Sequence, residues 1–234
     1  MILILYLRVA CLFSGGKDST YSLYLAKQWG LSVDCLLTLI PHSEESYLFH
    51  SPNIWTTHLQ SQALQIPIIT KKIRSISLDD ECNKLDELIR QAHTEYKIDG
   101  IVHGGIRSNF QKNKFNRSCE KYNLKLISPL WEIDEYDYMN NLLKNNFVIQ
   151  ITSVSSMGLD ANFLGIILNQ SSLEDLFRLS QKYGFNLSFE GGEAETIVLD
   201  CPIFKKRLEI LTSKIHWDGQ RGIVEISDMS LLDK

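Results

Sequence analysis

Residues Phe13–Ser19 read FSGGKDS, between the apolar run Arg8–Phe13 and a helix-patterned run that starts at Asp18. A strand that ends in Ser-Gly-Gly and hands over to a helix at Lys-Asp-Ser is suited to holding an anion. Gly15 and Gly16 take backbone conformations closed to other residues and let a phosphate approach the main chain. The helix start offers N–H groups without intrahelical partners and the positive end of its dipole. Lys17 adds a full positive charge, Ser14 and Ser19 add hydroxyls, and Asp18 is an oxygen ligand suited to Mg²⁺. These six residues, Ser14 to Ser19, are the expected polyphosphate contacts, with Asp18 the expected metal ligand. The loop is not a Walker A motif: Cys11 stands at its first glycine position and Asp18 at its Ser/Thr position.

Working outward, strand-like and helix-like runs alternate. Strands are predicted at Arg8–Phe13, Val33–Leu39, Ile66–Lys71, Gly100–His103 and Lys125–Ile127. Between them lie helical patterns at Asp18–Trp29, Ile54–Leu64, Leu78–Tyr96 and Ser108–Tyr122, with Ser77 and Asp80 spaced as a capping box. Such alternation implies an α/β fold: a doubly wound, Rossmann-like parallel sheet with helices on both faces. Ligands bind such sheets where the strand order reverses, outside the carboxyl ends of the strands. In the order 3-2-1-4-5, the first and fourth strands meet there. One ends in Ser14-Gly15-Gly16 and the other in His103-Gly104-Gly105, so two glycine turns would face one crevice. Gly104 and Gly105 thereby join the expected nucleotide contacts, and Leu39–Pro41 should border the same nucleotide.

The alternation stops at Ser128-Pro129-Leu130-Trp131. This places a domain boundary there, with a nucleotide-binding domain over residues 1–128 and a smaller C-terminal domain of helices and strands over 129–234. In the latter, helices are expected at Asp134–Lys144 and Ser172–Tyr183, and strands at Phe147–Val154, Thr196–Leu199, Glu209–Ile215 and Gly222–Ile226. The segment Glu190-Gly191-Gly192-Glu193-Ala194-Glu195-Thr196, closing with Asp200, packs four carboxylates around two glycines. They repel one another unless a cation or a cluster of donors sits among them. Mg²⁺, ammonium or a cationic substrate would serve; a solvated acidic turn is the alternative.

Bulk properties narrow the class. The 234 residues carry a net charge of −4, which disfavours a nucleic-acid-binding protein because phosphate backbones demand a basic face. The run Lys112–Lys114–Arg117–Lys121 is the one candidate basic patch, and spaced charges on a helix usually form a solvated face. Five cysteines are scattered without a C-x-x-C pair, which fits neither a zinc site nor a disulfide framework and suggests a reducing cytoplasm. Met1–Leu7 is apolar but lacks a basic flank, so it reads as an extension of the first strand. No apolar stretch has the length of a membrane span.

The Ser-Gly-Gly-Lys-Asp-Ser loop resembles that of the N-type ATP pyrophosphatases, which cleave ATP between the α and β phosphates and transfer AMP to a substrate oxygen. Four further stretches occur in order: SYLFHSPN (Ser46–Asn53), Gly104–Leu124 with Gln111 and Cys119, SPLW (Ser128–Trp131) and EGGEAETIVLDCPIF (Glu190–Phe204). Together they resemble the diphthine–ammonia ligase family from Arg8 to about Ile210. Lys114 and Asn116 depart from the arginine and glutamate common in that family. The resemblance implies ATP and Mg²⁺ as cofactors, ammonium as the nitrogen source, and elongation factor 2 carrying diphthine as the partner. An oligomer is compatible with it. It implies catalytic roles for Lys17, Asp18, Glu190, Glu193 and Glu195, and places His50 and Asn53 beside the nucleotide. A loop histidine and a helix N-cap are the plainer roles for those two. Trp131 and Phe189 offer aromatic faces to a quaternary amine, or simply pack in the core. His103, alone at a strand end, reads as structural.

Two other readings stay open. One is a different adenylating enzyme, a tRNA-thiolating or other amide synthetase; the other is a module that senses ATP or AMP without turnover. Lys17→Ala should abolish ATP cleavage, measured as pyrophosphate release. Wild-type turnover in that variant would remove the phosphate-loop assignment.

Overall fold

The computed structural model describes residues 7–41, 53–74 and 77–234. Its residues fall into two compact units. One contains Met1–Ser14, Asp18–Ser51 and Ile66–Trp131; the other contains Gly15–Lys17, Pro52–Gln65 and Glu132–Lys234.

The first unit is built on a parallel sheet of β1 (Arg8–Leu12), β2 (Ser32–Ile40), β3 (Ile68–Lys72), β4 (Gly100–Val102) and β5 (Lys125–Ile127). Their order is β3-β2-β1-β4-β5, so the strand order reverses between β1 and β4, as expected for a doubly wound fold. Val9, Ala10 and Cys11 pair with Gly100, Ile101 and Val102 across that point. The expected strand ends shift by one or two residues, and Leu7 precedes β1, its carbonyl accepting the Ser32 N–H at 3.0 Å. The rest of the reading of Met1–Leu7 lies outside the described residues.

Burial explains why these runs become strands. Ala10 and Leu12 share one sheet face with Cys35, Leu37 and Leu39, and they enter one buried cluster. Helix α3 follows a helical period instead. In this helix (Leu78–Tyr96), Leu85, Leu88, Ile89 and Ala92 recur at three- and four-residue spacing and are all buried in the same cluster. Helix α4 (Asn109–Glu120) adds Phe115 and Cys119, its start capped by the Ser108 hydroxyl accepting the Gln111 N–H. Each such fully buried aliphatic side chain contributes about 1.5–3 kcal/mol. The sheet needs this cover because parallel sheets bury both faces.

The capping box expected at Ser77 does not form. Ser77 occupies the N-cap position without a side-chain cap bond, and Asp80 accepts the Arg74 N–H at 2.9 Å. A backbone donor just upstream takes the carboxylate in place of the N-cap amide.

The second unit carries an antiparallel sheet of β6 (Val148–Val154), β7 (Ala194–Asp200), β8 (Lys206–Trp217) and β9 (Gly222–Asp233), ordered β7-β6-β9-β8. Helices α5 (Glu135–Lys144) and α6 (Gln170–Tyr183) meet through an edge-to-face contact of Tyr136 and Phe177, with ring centroids 5.0 Å apart. Helix α6 starts on a capping box of Asn169 and Ser172 and stops at Gly184 in the left-handed region. The segment Pro52–Gln65 belongs to this unit and contains the short helix α2 (Thr57–Leu64).

Asn53 ties that segment to the sheet. Its Nδ2 donates to the Val224 carbonyl and its Oδ1 accepts the Ile226 N–H, both at 3.0 Å, and the residue is only 4% exposed. It stands at the N-cap position of the turn Ile54–Thr56 but makes no side-chain cap bond, so the capping role is replaced by a strand-pinning one. Removing both partners of a buried donor and acceptor costs about 2–3 kcal/mol. Asn53→Ala is therefore expected to lower the urea unfolding free energy by that amount. A loss below about 0.5 kcal/mol, the usual spread of surface substitutions, would contradict the pinning role.

Candidate active site

The phosphate-type loop is shared between the two units, and each share has its own geometry. In the first unit the end of β1 passes into Ser14, and helix α1 (Lys17–Gln28) continues from Asp18 onward. The Ser14 and Ser19 hydroxyls lie 3.2 Å apart, and the Ser14 N–H donates to the Ser19 Oγ at 3.3 Å. Gly104 abuts this turn: a Cβ there would sit 2.8 Å from the Asp18 carbonyl carbon and from the Ser19 nitrogen. Both neighbours are backbone and cannot yield, so the second residue after β4 must lack a side chain. At the β1–β4 reversal Gly104 thus meets the first turn of α1. Asp18 is half-buried in the first turn of α1.

His103 stands beside these turns, 1% exposed. The Gly105 N–H donates to its Nδ1 at 3.1 Å, so the ring proton sits on Nε2 and is donated to the Ser128 Oγ at 2.6 Å. Phe115 meets the ring edge-on at 5.3 Å. Burial, aided by the Lys112 ammonium, pushes the imidazole down to about 4, so it is neutral at physiological pH. The histidine reads as a brace that fixes Gly105 against Ser128.

In the second unit the middle of the loop is bound by several hydrogen bonds. The Gly15 carbonyl accepts the Val198 N–H at 3.0 Å and the Gln60 Nε2 at 2.8 Å. Gln60 is fully buried and also donates to the Val198 carbonyl at 2.9 Å. Gly15 has φ +80°, and a Cβ on it would lie 2.0 Å from the Gln60 Oε1. Conformation and space thus both require glycine there. The Lys17 N–H donates to the Thr196 Oγ1 at 3.1 Å. The Lys17 side chain, 2% exposed, sends its ammonium to the Ser188 carbonyl at 2.5 Å, with the rings of Phe189 and Tyr138 at 5.4 and 5.9 Å.

Of the four carboxylates of the acidic segment, Asp200 stands apart from the others at the far end of β7. Glu193 Oε1 accepts the N–H and the Nδ2 of Asn186 at 3.0 and 2.8 Å, which shapes the turn that precedes β7. Its Oε2 is buried without a hydrogen-bond partner. Glu190 lies in the turn and Glu195 in β7, where it is paired with Ser153. Asp200 ends the same strand and is ion-paired with Lys234. Five residues of extended chain, about 16 Å, separate Glu195 from Asp200, so the expectation of one four-carboxylate cluster is corrected. Among the described residues no group of three or more histidine, cysteine or acidic side chains could hold a metal ion.

Both aromatic faces considered for a quaternary amine carry lysines here. Phe189 faces Lys17, and Trp131 lies under the Lys112 ammonium at 3.5 Å. Lys121 of the same basic run pairs with Asp86. Asn116 donates to Glu120 at 2.7 Å on the exposed side of α4. His50, with most of the segment Ser46–Asn53, lies outside the described residues. All five cysteines are free, and burial pushes Cys35, Cys119 and Cys201 up to about 12 and Cys11 higher still. These four thiols are held protonated and are poor nucleophiles. Gln60, Ser188 and Tyr138 were not distinguishable as site residues beforehand, because none belongs to a charged or glycine-rich pattern.

Residues 7–126 match the family model of the diphthamide synthase N-terminal domain, and residues 134–232 match that of the diphthamide synthase C-terminal domain. The chain belongs to the diphthamide synthase family. It is 32% identical to the diphthine–ammonia ligase of Homo sapiens over 89% of this chain and 85% of that protein. It is 31% identical to the diphthine–ammonia ligase of Bos taurus, over 97% and 91%. A solved structure of a predicted tRNA methyltransferase subunit from Methanocaldococcus jannaschii covers 81% of this chain and 95% of its own at 16% identity. The TM-score between the two is 0.40. Family membership makes the chain a ligase that forms a C–N bond, with ATP use implied. Among the described residues no helix is long and apolar enough to cross a membrane.

The buried histidine yields a pH test. As pH falls below 6.5 the unfolded chain protonates this group first, so the folded state loses stability until about pH 4, where the folded group also titrates. Above pH 6.5 the contribution is fully present, on the order of 3 kcal/mol. Urea unfolding of His103→Gln should lack this acid-side loss between pH 6.5 and 4. An acid limb identical to wild type would remove the assignment.

Proposed function

We propose that the chain performs the ATP-dependent amidation of diphthine on elongation factor 2, with ammonium as nitrogen donor, releasing AMP and pyrophosphate. The observation that carries this reading is the glycine-lined turn Ser14–Ser19, with Gly104 held against the backbone of Asp18 and Ser19 at the strand-order reversal. A turn of this shape favours the close approach of phosphate oxygens to main-chain groups.

A carboxylate does not condense with ammonia near neutral pH, because the leaving group would be an oxide. In the proposed first step a diphthine carboxylate oxygen attacks the α-phosphorus, and the bond to the β-phosphate oxygen breaks. Pyrophosphate leaves, and the carboxylate becomes an acyl-adenylate. In the second step the lone pair of ammonia attacks the acyl carbon, AMP departs with the C–O bonding electrons, and the nitrogen sheds a proton. The chain supplies positioning and charge for both steps. Lys17, with a methylene stem long enough to reorient, would neutralise the departing pyrophosphate. Ser14, Gly15, Gly16 and Ser19 would line the phosphates, with Gly104 and Gly105 across the strand reversal.

The residues present fit a magnesium ion in one respect. The donors at the turn are all oxygen, with the Asp18 carboxylate and the paired Ser14 and Ser19 hydroxyls. Mg²⁺ bound with a nucleotide typically takes one or two carboxylates and completes its shell with phosphates and water. Bound there, it would offset phosphate charge. Glu190, Glu193 and Glu195 would form the acceptor side, where their charge attracts ammonium and one of them takes up its proton. The unpartnered, buried Glu193 Oε2 supports that role. The inert thiols disfavour sulfur transfer by a cysteine relay, and the reducing cytoplasm remains the proposed location.

Diphthine-bearing elongation factor 2 incubated with the protein, ATP and ammonium should lose about 1 Da per acceptor on mass spectrometry, the change from carboxylic acid to amide. Stoichiometric AMP and pyrophosphate should appear. ATP binding without pyrophosphate release would instead indicate a nucleotide sensor.

A further inference from the structure

We infer that Ser188, Phe189 and Tyr138 form a binding site for the ammonium ion, and that the Lys17 side chain fills it in the nucleotide-free protein. The inference rests on the amidation reading for its purpose, though its geometry stands apart. The Lys17 ammonium has left water almost completely, and such a group requires acceptors in exchange. It finds the Ser188 carbonyl at 2.5 Å and two ring faces, Phe189 at 5.4 Å and Tyr138 at 5.9 Å. All three residues are buried.

Two further observations indicate that the place suits more than a lysine tail. The Ser188 hydroxyl, in a residue 1% exposed, is buried without any hydrogen-bond partner. A buried orphan hydroxyl is an acceptor in waiting. Phe189 is held at φ +62°, a left-handed conformation unusual for an aromatic residue. Its N–H donates to the Asn186 carbonyl at 2.9 Å and its carbonyl accepts the Gly192 N–H at 3.1 Å. The acidic turn therefore holds a strained residue in place. The Ser188 N–H in turn donates to the Glu135 Oε2 at 3.2 Å, which brings a carboxylate to the same peptide unit.

The chemistry selects ammonium among small cations. A lysine head is an ammonium ion with one hydrogen replaced by carbon, so a place that accepts one accepts the other. Na⁺ and Ca²⁺ require a shell of oxygens, and the two ring faces contribute none. A trimethylammonio group has no N–H to give the carbonyl. Ring faces attract any cation, so the carbonyl supplies the discrimination. While Lys17 fills the place, ammonium is excluded. When Lys17 turns to phosphate, the place opens. The nitrogen donor then enters after the nucleotide, and the acyl group is activated before its nucleophile arrives.

The test needs neither ATP nor elongation factor 2. Thermal unfolding of Lys17→Ala is followed in ammonium, methylammonium, sodium and tetramethylammonium chlorides at equal ionic strength. Ammonium and methylammonium should raise the Tm by about 2–4 °C above the other two salts, and Lys17→Ala/Phe189→Leu should lose that difference. Equal shifts in all four salts would overturn the proposal. Should Lys17→Ala fail to fold, wild-type protein with a non-cleavable ATP analogue is titrated with ¹⁵N-ammonium by NMR. The expected result is binding that weakens about fivefold or more in Phe189→Leu; equal binding in both proteins would overturn the site. If either test gives the expected result while the wild-type protein fails to amidate, the proposed function falls and this site stands.

Discussion

The Gly15 carbonyl accepts two hydrogen bonds from the buried interior of the second unit, one from the Val198 backbone and one from the Gln60 amide. Much else follows from that double acceptance. With its oxygen committed, the peptide that follows Gly15 has a fixed plane, and Gly15 itself holds φ +80°. The chain then enters α1 with the Lys17 N–H directed to Thr196 and the Lys17 ammonium to Ser188. A loop of six polar and glycine residues would otherwise sample many conformations, at an entropic cost of about 1–2 kcal/mol per residue when ordered. Here strand β7 and helix α2 meet that cost before any ligand arrives, which is the physical meaning of preorganisation.

A second constraint acts through absent volume. Gly104 lies so close to the Asp18–Ser19 backbone that even a methyl group would clash. Parallel strands β1 and β4 set this approach through their shared register, and the glycine permits it. His103 completes the arrangement by accepting the Gly105 N–H, a bond available only to the neutral ring.

The parallel sheet was legible because its signals are local and periodic. Buried apolar runs, helical stripes such as Leu85-Leu88-Ile89-Ala92, and glycines after strands each declare themselves within a short window. The FSGGKDS loop was legible because only a few residue types suit an anion. What escaped reading were side chains whose role comes from a distant partner. Gln60 lies mid-helix without a charge or a spacing to mark it, and its importance arises from Gly15 and Val198, far away in sequence. The Ser188 acceptor is a backbone carbonyl, which any residue would supply. Asp80 and Asn53 stood at cap positions but found nearer or stronger partners in Arg74 and β9. Strands β8 and β9 run longer than expected because β8 is exposed over most of its length, so its sequence lacks alternation. The acidic segment looked like one charge cluster only because sequence distance is not spatial distance once β7 is extended.

The protonated, shielded thiols have a practical consequence. Alkylating reagents react with thiolates, and burial holds four of the five cysteines in the unreactive form. Modification of Cys11, Cys35 and Cys119 therefore reports breathing of the parallel-sheet unit, whereas Cys201 reports breathing of the antiparallel one. The native chain thus carries intrinsic chemical clocks for each half, readable by peptide mass mapping without any introduced label.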